Sequence, residues 1–168
     1  ALLDMADAKD SGSMMDPTKP NRFVVGVDID IRAHNRTAIE KHPLSDRILM
    51  IQGSSVDSKT IDQVQSLVKP NSKVMLCLDS MHSHEHVLSE LEAYAPLVSE
   101  GCYCVIFDTF VEDMPSDLFP DRPWSPGDNP KTAVHEFLQN HPEFVIDESV
   151  QDKLLITVAP DGYLKRIK

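Results

Sequence analysis

The sequence predicts an α/β fold built on a mostly parallel β-sheet with an antiparallel strand near its C-terminus. Apolar runs of strand length alternate with segments of helical periodicity at intervals of roughly 25 residues, which is typical of βα units. Most of these runs are continuous rather than alternating, as in strands that a sheet buries on both faces. The length of 168 residues is sufficient for one domain, so a single domain over residues 1–168 is predicted.

Strands and helices are predicted in alternation along the chain. The strands are Phe23–Val27, Arg47–Ile51, Lys73–Leu78, Cys102–Phe107, a weaker Glu143–Ile146, and Leu154–Val158. Helices are predicted where apolar residues recur at three- and four-residue spacing, at Arg36–Lys41, Ser58–Val68, His84–Leu97 and Thr132–Gln139. The last two strands follow a single helix and lie close together in the chain, so we expect an antiparallel pair at that edge of the sheet.

Two segments lie outside this alternation. Residues 10–21 are polar and contain prolines, and they predict a mobile loop. Residues 110–130 are proline-rich and contain the single tryptophan, Trp124. A connection of that length inside a compact domain is more often an active-site lid than a simple connector, so a lid-like loop is predicted there.

Charge and composition exclude several classes of protein. Lys and Arg number 16 and Asp and Glu number 27, and the resulting net charge of −11 argues against nucleic-acid binding and against an electrostatic membrane anchor. No apolar run approaches the ~20 residues that a membrane-spanning helix needs. The three cysteines, Cys77, Cys102 and Cys104, lie in apolar runs and indicate buried thiols in a reducing compartment, so a cytoplasmic location is predicted.

Ligand chemistry is expected at the carboxyl ends of the strands, where open α/β sheets bind their ligands. The first predicted strand leads to Asp28, whose two carboxylate oxygens suit the two hydroxyls of a ribose, although a solvated turn is the alternative. The second is followed by Gly53, Ser54 and Ser55, a small turn that lets a planar ring approach the backbone. A helix N-cap at Ser55 or Ser58 explains most of that pattern as well.

The densest polar cluster follows the third predicted strand. Asp79 comes directly after the apolar run, His82 lies three residues further on, and His86 follows one helical turn later. A carboxylate together with imidazoles can ligate a metal or carry a proton. The alternative is an ordinary helix start with the histidines on a polar face, and this structural interpretation is preferred for His84, which points away from the other two.

A second strand-end carboxylate, Asp108, follows the fourth predicted strand and could face Asp79 from the neighbouring strand. Two carboxylates at close range repel each other unless a cation or a proton lies between them. Oxygen ligands without a thiolate favour Mg²⁺ or a similar ion over zinc. For Asp108 alone, an aspartate that begins a loop is the alternative.

Five segments carry a resemblance to a known family. They are VVGVDIDIRAHNR (24–36), IQGSSVD (51–57), LDSMHSHEHVLSELEAYAPLVSEGCYCVIFDT (78–109), WSPGDNPKTAVHEFL (124–138) and DGYLKRI (161–167). In this order they resemble the cephalosporin hydroxylase/rhamnosyl O-methyltransferase family, a branch of the class I S-adenosylmethionine-dependent methyltransferases. The resemblance runs from Phe23 to Lys168 and implies the Rossmann-like sheet of that class.

The resemblance also implies an activity, cofactors and partners. The chain would be an S-adenosylmethionine-dependent O-methyltransferase that uses a divalent metal such as Mg²⁺ and acts on a hydroxyl of a small molecule or a sugar. Asp28 would bind the ribose of S-adenosylmethionine, and Gly53, Ser54 and Ser55 would lie near its adenine. Neither nucleic acid nor a membrane is expected as a partner, and a homo-oligomer is left open.

The resemblance also implies which residues would bind and activate the acceptor, and all of them lie in the segment 78–109. Asp79 and Asp108 would ligate the metal that orients the acceptor hydroxyl. His82 and Asp79 would be the catalytic residues, with His82 as a base or as a partner of the metal ligands. His86 would border the same pocket.

Two features depart from the family. Its first strand and its glycine-rich cofactor loop have no match here, so the first strand is expected to be missing, with Ala1–Ala8 as the remnant of the following helix. The acidic residue that commonly precedes the last aspartate of the site is replaced by Phe107, which removes a metal ligand. Both features favour an alternative, a catalytically inactive Rossmann-like binding or assembly module. A hydroxylase is the least favoured function, because no pattern of two histidines and one carboxylate on a β-rich scaffold is present.

Overall fold

The computed structural model describes residues 5–7, 9, 21–70 and 72–168, and most of the predicted loop 10–21 lies outside these ranges. The chain divides into two compact units, residues 1–60 and 61–168, and each is described by itself. The expectation of a single domain stays a prediction. Within the described ranges, no helix has both the length and the apolar character needed to cross a bilayer.

The first unit contains a two-stranded parallel sheet. β1 (Val24–Asp28) and β2 (Ile48–Gln52) pair over their full lengths, with Asp28 opposite Gln52. Helix α1 (Ala33–Glu40) connects the strands and is followed by a 3-10 turn at Ser45–Arg47. Both strands are only partly buried, since their residues alternate largely between half-buried and exposed. The expectation of strands buried on both faces is therefore wrong for β1 and β2.

A buried ion pair ties the two strands to the helical residues near the N-terminus. The side chain of Arg47 is 4% exposed, and its Nη1 lies 2.6 Å from Asp7 Oδ2. The same Nη1 donates to the carbonyl oxygen of Arg22 at 2.8 Å, and Arg22 also pairs with Asp7. Burial raises the pKa of Asp7, but hydrogen bonds from Asn21, Arg47 and Arg22 outweigh it and hold that pKa well below its ordinary value.

The substitution Asp7→Asn is expected to lower the free energy of unfolding at neutral pH, because it removes the negative charge that faces the buried guanidinium of Arg47. The lowered pKa of Asp7 means that its stabilisation is present above the ordinary value of 3.8 and is lost as the pH falls below it. Urea denaturation near pH 7 and near pH 3 measures this. The difference between the native protein and the variant should shrink at the lower pH, whereas Asp46→Asn, an exposed neighbour of Arg47, should change little at either pH.

The second unit contains a four-stranded sheet in the order β3-β4-β6-β5. Its strands are β3 (Leu76–Leu78), β4 (Tyr103–Ile106), β5 (Phe144–Ile146) and β6 (Tyr163–Arg166). β3 and β4 are parallel, whereas β6 runs antiparallel to both β4 and β5. The α/β class with parallel pairing and an antiparallel C-terminal strand is thus confirmed.

Helices complete the second unit. They are α2 (Ser58–Leu67), which begins in the first unit, α3 (His84–Tyr94), α4 (Pro130–Asn140) and α5 (Glu148–Leu154), with 3-10 turns at Ala95–Leu97 and Thr109–Asp113. Apolar side chains of α3, α4 and the sheet form one core, in which Leu91, Ile106, Phe137 and Leu164 are fully buried. This core fixes the strand ends that carry the polar cluster described below.

The predicted strand Leu154–Val158 is wrong. The preceding polar residues form α5 instead, because the side chain of Asp147 accepts a hydrogen bond from the backbone N–H of Ser149 and caps the helix. Leu155 then adopts a φ of 64°, which ends the helix in a conformation that a strand cannot continue. The strand position beside β4 is taken by β6, which the apolar pattern did not predict because it reads Tyr-Leu-Lys-Arg.

A tight turn before β6 depends on Gly162. The N–H of Ile106 donates to the carbonyl oxygen of Gly162 at 2.8 Å. A Cβ atom at position 162 would lie 2.2 Å from the carbonyl oxygen of Ile106, so only glycine permits this approach. The contact extends the antiparallel pairing of β4 to its last residue, Ile106.

Candidate functional site

Two neighbouring strands of the second unit end at the same edge of the sheet. Leu78 of β3 lies opposite Ile106 of β4, and the N–H of Phe107 donates to the carbonyl oxygen of Leu78 at 2.9 Å. An aspartate follows each strand: Asp79 comes directly after β3, and Asp108 comes two residues after the end of β4, beyond Phe107. Parallel pairing therefore brings the two predicted carboxylates to one edge.

Asp108 occupies an unusual backbone conformation at this edge. Its φ of 56° and ψ of 24° are left-handed, a region in which aspartate is enriched among non-glycine residues. This residue turns the chain from β4 into the 3-10 turn that begins at Thr109. The hydroxyl of Thr109 is fully buried and donates to the carbonyl oxygen of Pro160 at 2.6 Å, which fixes the turn.

His82 lies between the two carboxylates. Its Nε2 atom is 3.6 Å from Asp79 Oδ1, and its Nδ1 atom is 3.3 Å from Asp108 Oδ2. One ligand atom from each of the three residues lies within 4.8 Å of the others. The structure thus brings together Asp79, His82 and Asp108, three of the residues predicted from sequence.

The burial of the cluster suits a bound cation with one open side. The side chain of His82 is 15% exposed, that of Asp108 30% and that of Asp79 66%. The Nε2 atom of His82 is buried and has no hydrogen-bond partner among the described residues. Buried polar atoms are normally satisfied, so this orphaned nitrogen beside two carboxylates is compatible with a divalent cation.

Trp124 forms a wall beside His82. The centroids of the two rings are 5.0 Å apart and their planes are inclined by 58°. The guanidinium of Arg122 lies 5.2 Å from the centre of the Trp124 ring. The side-chain amide of the fully buried Asn129 donates to the carboxylate of Glu112, and this bond anchors the segment that carries Trp124. The predicted loop 110–130 is therefore structured at both ends, and its lid-like role stays a prediction.

His84 and His86 lie outside this cluster. The Nδ1 atom of His84 is 2.8 Å from Thr132 Oγ1 and its Nε2 atom is 3.1 Å from Glu136 Oε2, so this side chain bridges α3 and α4, in agreement with the structural interpretation. That His86 borders the same pocket as His82 stays a prediction. Its Nε2 atom lies 3.5 Å from Glu90 Oε1.

Glu90 is a buried acid that the sequence analysis missed. Its residue exposure is 2%, and its Oε1 accepts a hydrogen bond from the hydroxyl of Ser80 at 2.7 Å. Ser80 directly follows Asp79, so Glu90 fixes the turn that carries the site. Burial raises the pKa of Tyr94, and the charge of Glu90 raises it further, to about 12. The sequence does contain one indication of this contact: His86 and Glu90 are four residues apart on one predicted helix, a spacing at which side chains meet.

The substitution Glu90→Gln is expected to lower the pKa of Tyr94 from about 12 towards its ordinary value of 10.0, because the neighbouring charge is removed while burial remains. Phenolate absorbance during an alkaline titration measures this pKa, and Tyr94→Phe assigns the signal. Glu92→Gln, which changes an exposed acid on the same helix, should leave the pKa of Tyr94 unchanged. An unchanged pKa in Glu90→Gln would show that Glu90 does not raise the pKa of Tyr94.

The four residues predicted for the cofactor lie in the first unit. The N–H of Gly53 donates to the carbonyl oxygen of Asp28 at 3.0 Å, so the turn after β2 lies beside the end of β1. Asp28 is exposed, and its Oδ1 accepts a hydrogen bond from the N–H of Asp30 at 2.8 Å. A Cβ atom at position 53 would lie 2.6 Å from the hydroxyl oxygen of Thr60, which makes glycine necessary there. Ser54 and Ser55 are half-buried in the same turn.

The fold is that of a class I methyltransferase. A similar solved structure, MycE methyltransferase from the mycinamycin biosynthetic pathway in complex with Mg and SAH, aligns with a TM-score of 0.51 and 17% sequence identity. The alignment covers 87% of this chain and 38% of that chain. The chain belongs to the rhamnosyl O-methyltransferase/CmcI family, whose model matches residues 8–167, and this confirms the resemblance described above.

Curated relatives support the same family. Rhamnosyl O-methyltransferase from Mycobacterium tuberculosis (strain ATCC 25618 / H37Rv) is 32% identical over 121 residues, which cover 71% of this chain and 47% of the relative. Rhamnosyl O-methyltransferase from Mycobacterium leprae (strain TN) is 28% identical over 121 residues, which cover 71% of this chain and 50% of the relative. The matched region thus spans about half the length of these relatives.

Proposed function

We propose that the protein is an S-adenosylmethionine-dependent O-methyltransferase that methylates a hydroxyl of a sugar or another small molecule with the assistance of a divalent cation. The observation that carries the proposal is the cluster of Asp79, His82 and Asp108 at the strand ends of a chain that belongs to this family. A sugar acceptor is supported by the name of the curated relatives, which are rhamnosyl O-methyltransferases. A divalent cation is supported by the MycE structure, which contains Mg.

The reaction is a displacement at the methyl carbon. The acceptor oxygen forms a bond to the methyl carbon as the bond from that carbon to the sulfonium sulfur breaks, and S-adenosylhomocysteine leaves. A divalent cation held by Asp79 and Asp108 would polarise the acceptor hydroxyl and favour its deprotonation. His82 and Asp79 are the groups near this position that can accept the proton. Trp124 and the exposed side of Asp79 would border the acceptor.

We assign the binding of S-adenosylmethionine to residues of the first unit. The carboxylate of Asp28 would accept hydrogen bonds from the ribose hydroxyls. Its Oδ1 already accepts one hydrogen bond, from the N–H of Asp30, and a carboxylate can accept several. The Gly53–Ser55 turn would lie against the adenine. The adenine could approach the backbone closely because Gly53 has no side chain. The neighbouring Thr60 also favours glycine at this position.

The substitution Asp28→Ala is expected to weaken binding of S-adenosylhomocysteine by about tenfold or more, because a hydrogen bond to a charged group contributes about 1.5–3 kcal/mol. Isothermal titration calorimetry measures this directly. Asp30→Ala is the matched control, since it removes an exposed carboxylate two residues away, and it should bind as the native protein does. Equal affinities of the two variants for S-adenosylhomocysteine would show that Asp28 does not bind the cofactor.

Methyl transfer to a saccharide acceptor tests the activity itself. With labelled S-adenosylmethionine and a rhamnose-bearing acceptor, we expect transfer that ceases when divalent cations are chelated. Asp79→Asn and Asp108→Asn should each reduce the rate by about a hundredfold or more, since a metal acting as a Lewis acid contributes several kcal/mol to transition-state stabilisation. Asp121→Asn, which alters an exposed acid of the loop, should not.

The alternative function is a catalytically inactive binding or assembly module. It is favoured by Phe107, which places an apolar side chain directly before Asp108 where a further oxygen ligand would strengthen a cation site. Binding of S-adenosylhomocysteine without transfer to any saccharide or small-molecule hydroxyl would support this alternative. Transfer that depends on Asp79 and Asp108 would exclude it.

A further inference from the structure

Glu90 is an acid on the buried face of α3. The other buried residues of this helix are Val87, Leu91 and Tyr94, and the first two belong to the apolar core. Glu90 is 2% exposed, and its Oε2 atom has no hydrogen-bond partner among the described residues. A buried oxygen without a donor costs free energy, so an apolar residue at this position should give a core that is at least as stable. Local features that cost stability are typical of functional sites.

The hydrogen bond that Glu90 accepts connects α3 to the strand end that carries Asp79. Its Oε1 atom accepts from the hydroxyl of Ser80 at 2.7 Å, a length typical of a hydroxyl that donates to an ionised carboxylate. Ser80 is exposed and directly follows Asp79 at the end of β3. The bond therefore ties the first residues after β3 to a helix that the core holds in place.

Asp79 depends on this bond because its own side chain is poorly restrained. The side chain is 66% exposed, and its contact with His82 Nε2 at 3.6 Å is longer than a hydrogen bond. A carboxylate of this kind takes its direction from the backbone that carries it. The bond from Ser80 to Glu90 fixes the next residue of that backbone, so it limits the positions that the carboxylate of Asp79 can reach.

We propose that Glu90 is a positioning residue for methyl transfer, which acts through the hydroxyl of Ser80 to orient the carboxylate of Asp79 and does so at a cost to the stability of the core. The inference rests on the proposed function and adds to it a residue that works through another side chain. A displacement of about 1 Å at a reacting group can lower a rate by about a hundredfold, so a bond behind the site can control turnover.

The two partners of the bond should respond differently to substitution. Ser80→Ala leaves the buried carboxylate of Glu90 without its donor, so it should lower the midpoint of urea denaturation. Glu90→Met places an apolar side chain of similar length in the core and leaves only the exposed hydroxyl of Ser80, which water can satisfy. Its midpoint should equal or exceed that of the native protein. The double variant Ser80→Ala/Glu90→Met should regain the midpoint that Ser80→Ala loses.

Methyl transfer should follow the hydrogen bond and not the stability. Ser80→Ala, Glu90→Met and the double variant should each lower kcat by about tenfold or more, with little change in KM for S-adenosylmethionine, because the residues assigned to the cofactor are unaltered. The kcat of Glu90→Gln should lie between those of the native protein and Glu90→Met, since its amide oxygen can still accept from Ser80. Ser89→Ala is the matched control and should keep the native kcat, because that hydroxyl donates to the carbonyl oxygen of Glu85 within α3.

Amide hydrogen exchange gives a readout that does not depend on turnover. In Glu90→Met, exchange at residues 79–83 should become faster while exchange in β4 stays slow, because the substitution releases the turn and leaves the core intact. Equal exchange at residues 79–83 in Glu90→Met and the native protein would contradict the proposed role.

Two further results would overturn the inference. One is a Glu90→Met variant with the native kcat. The other is a Glu90→Met variant whose urea midpoint falls well below that of the native protein, since Glu90 would then serve the core. Assays of the native protein separate these results from a failure of the proposed function: transfer by both the native protein and Glu90→Met at equal rates keeps the function and rejects the inference, whereas a native protein without transfer rejects both.

Discussion

The site depends on the parallel pairing of β3 and β4. One backbone hydrogen bond, from the N–H of Phe107 to the carbonyl oxygen of Leu78, closes this pairing just before the chain leaves the sheet. A shift of one residue in this register would turn Asp79 or Asp108 towards the opposite face, because side chains alternate along a strand. The three-residue cluster therefore follows from where the two strands end, and the buried core beneath them keeps that register.

The polar groups around the cluster restrict its side chains from two directions. On one side, the carboxylate of Glu90 accepts a hydrogen bond from the hydroxyl of Ser80 and fixes the turn that carries Asp79. On the other, Asn129 and Glu112 anchor the segment that brings Trp124 against His82. Each of these contacts gives a buried side chain a hydrogen-bond partner, so losing one would leave a buried polar group unpaired. Such pre-organisation is what a site needs in order to hold an acceptor in line with a reactive carbon.

Much of the site could be predicted because its residues follow apolar runs directly. Asp79 and Asp108 come at or just after strand ends, and parallel strands bring their carboxyl ends to one edge of a sheet. Partners distant in sequence could not be predicted in this way: Glu90 is mid-helix, and the pairing of Asp7 with Arg47 joins residues 40 positions apart. The strand predicted at Leu154–Val158 failed because the helix capped by Asp147 includes Leu154 and Leu155 then adopts a positive φ, while β6, with Lys and Arg among its four residues, gave no apolar signal.

The central claim is that the strand ends of β3 and β4 form a cation site held by the carboxylates of Asp79 and Asp108. Anomalous diffraction from crystals soaked in Mn²⁺ tests it most directly. The account predicts a peak within about 2.3 Å of carboxylate oxygens of Asp79 and Asp108. Manganese bound only elsewhere on the protein, with His82 still lying between the two carboxylates, would contradict it.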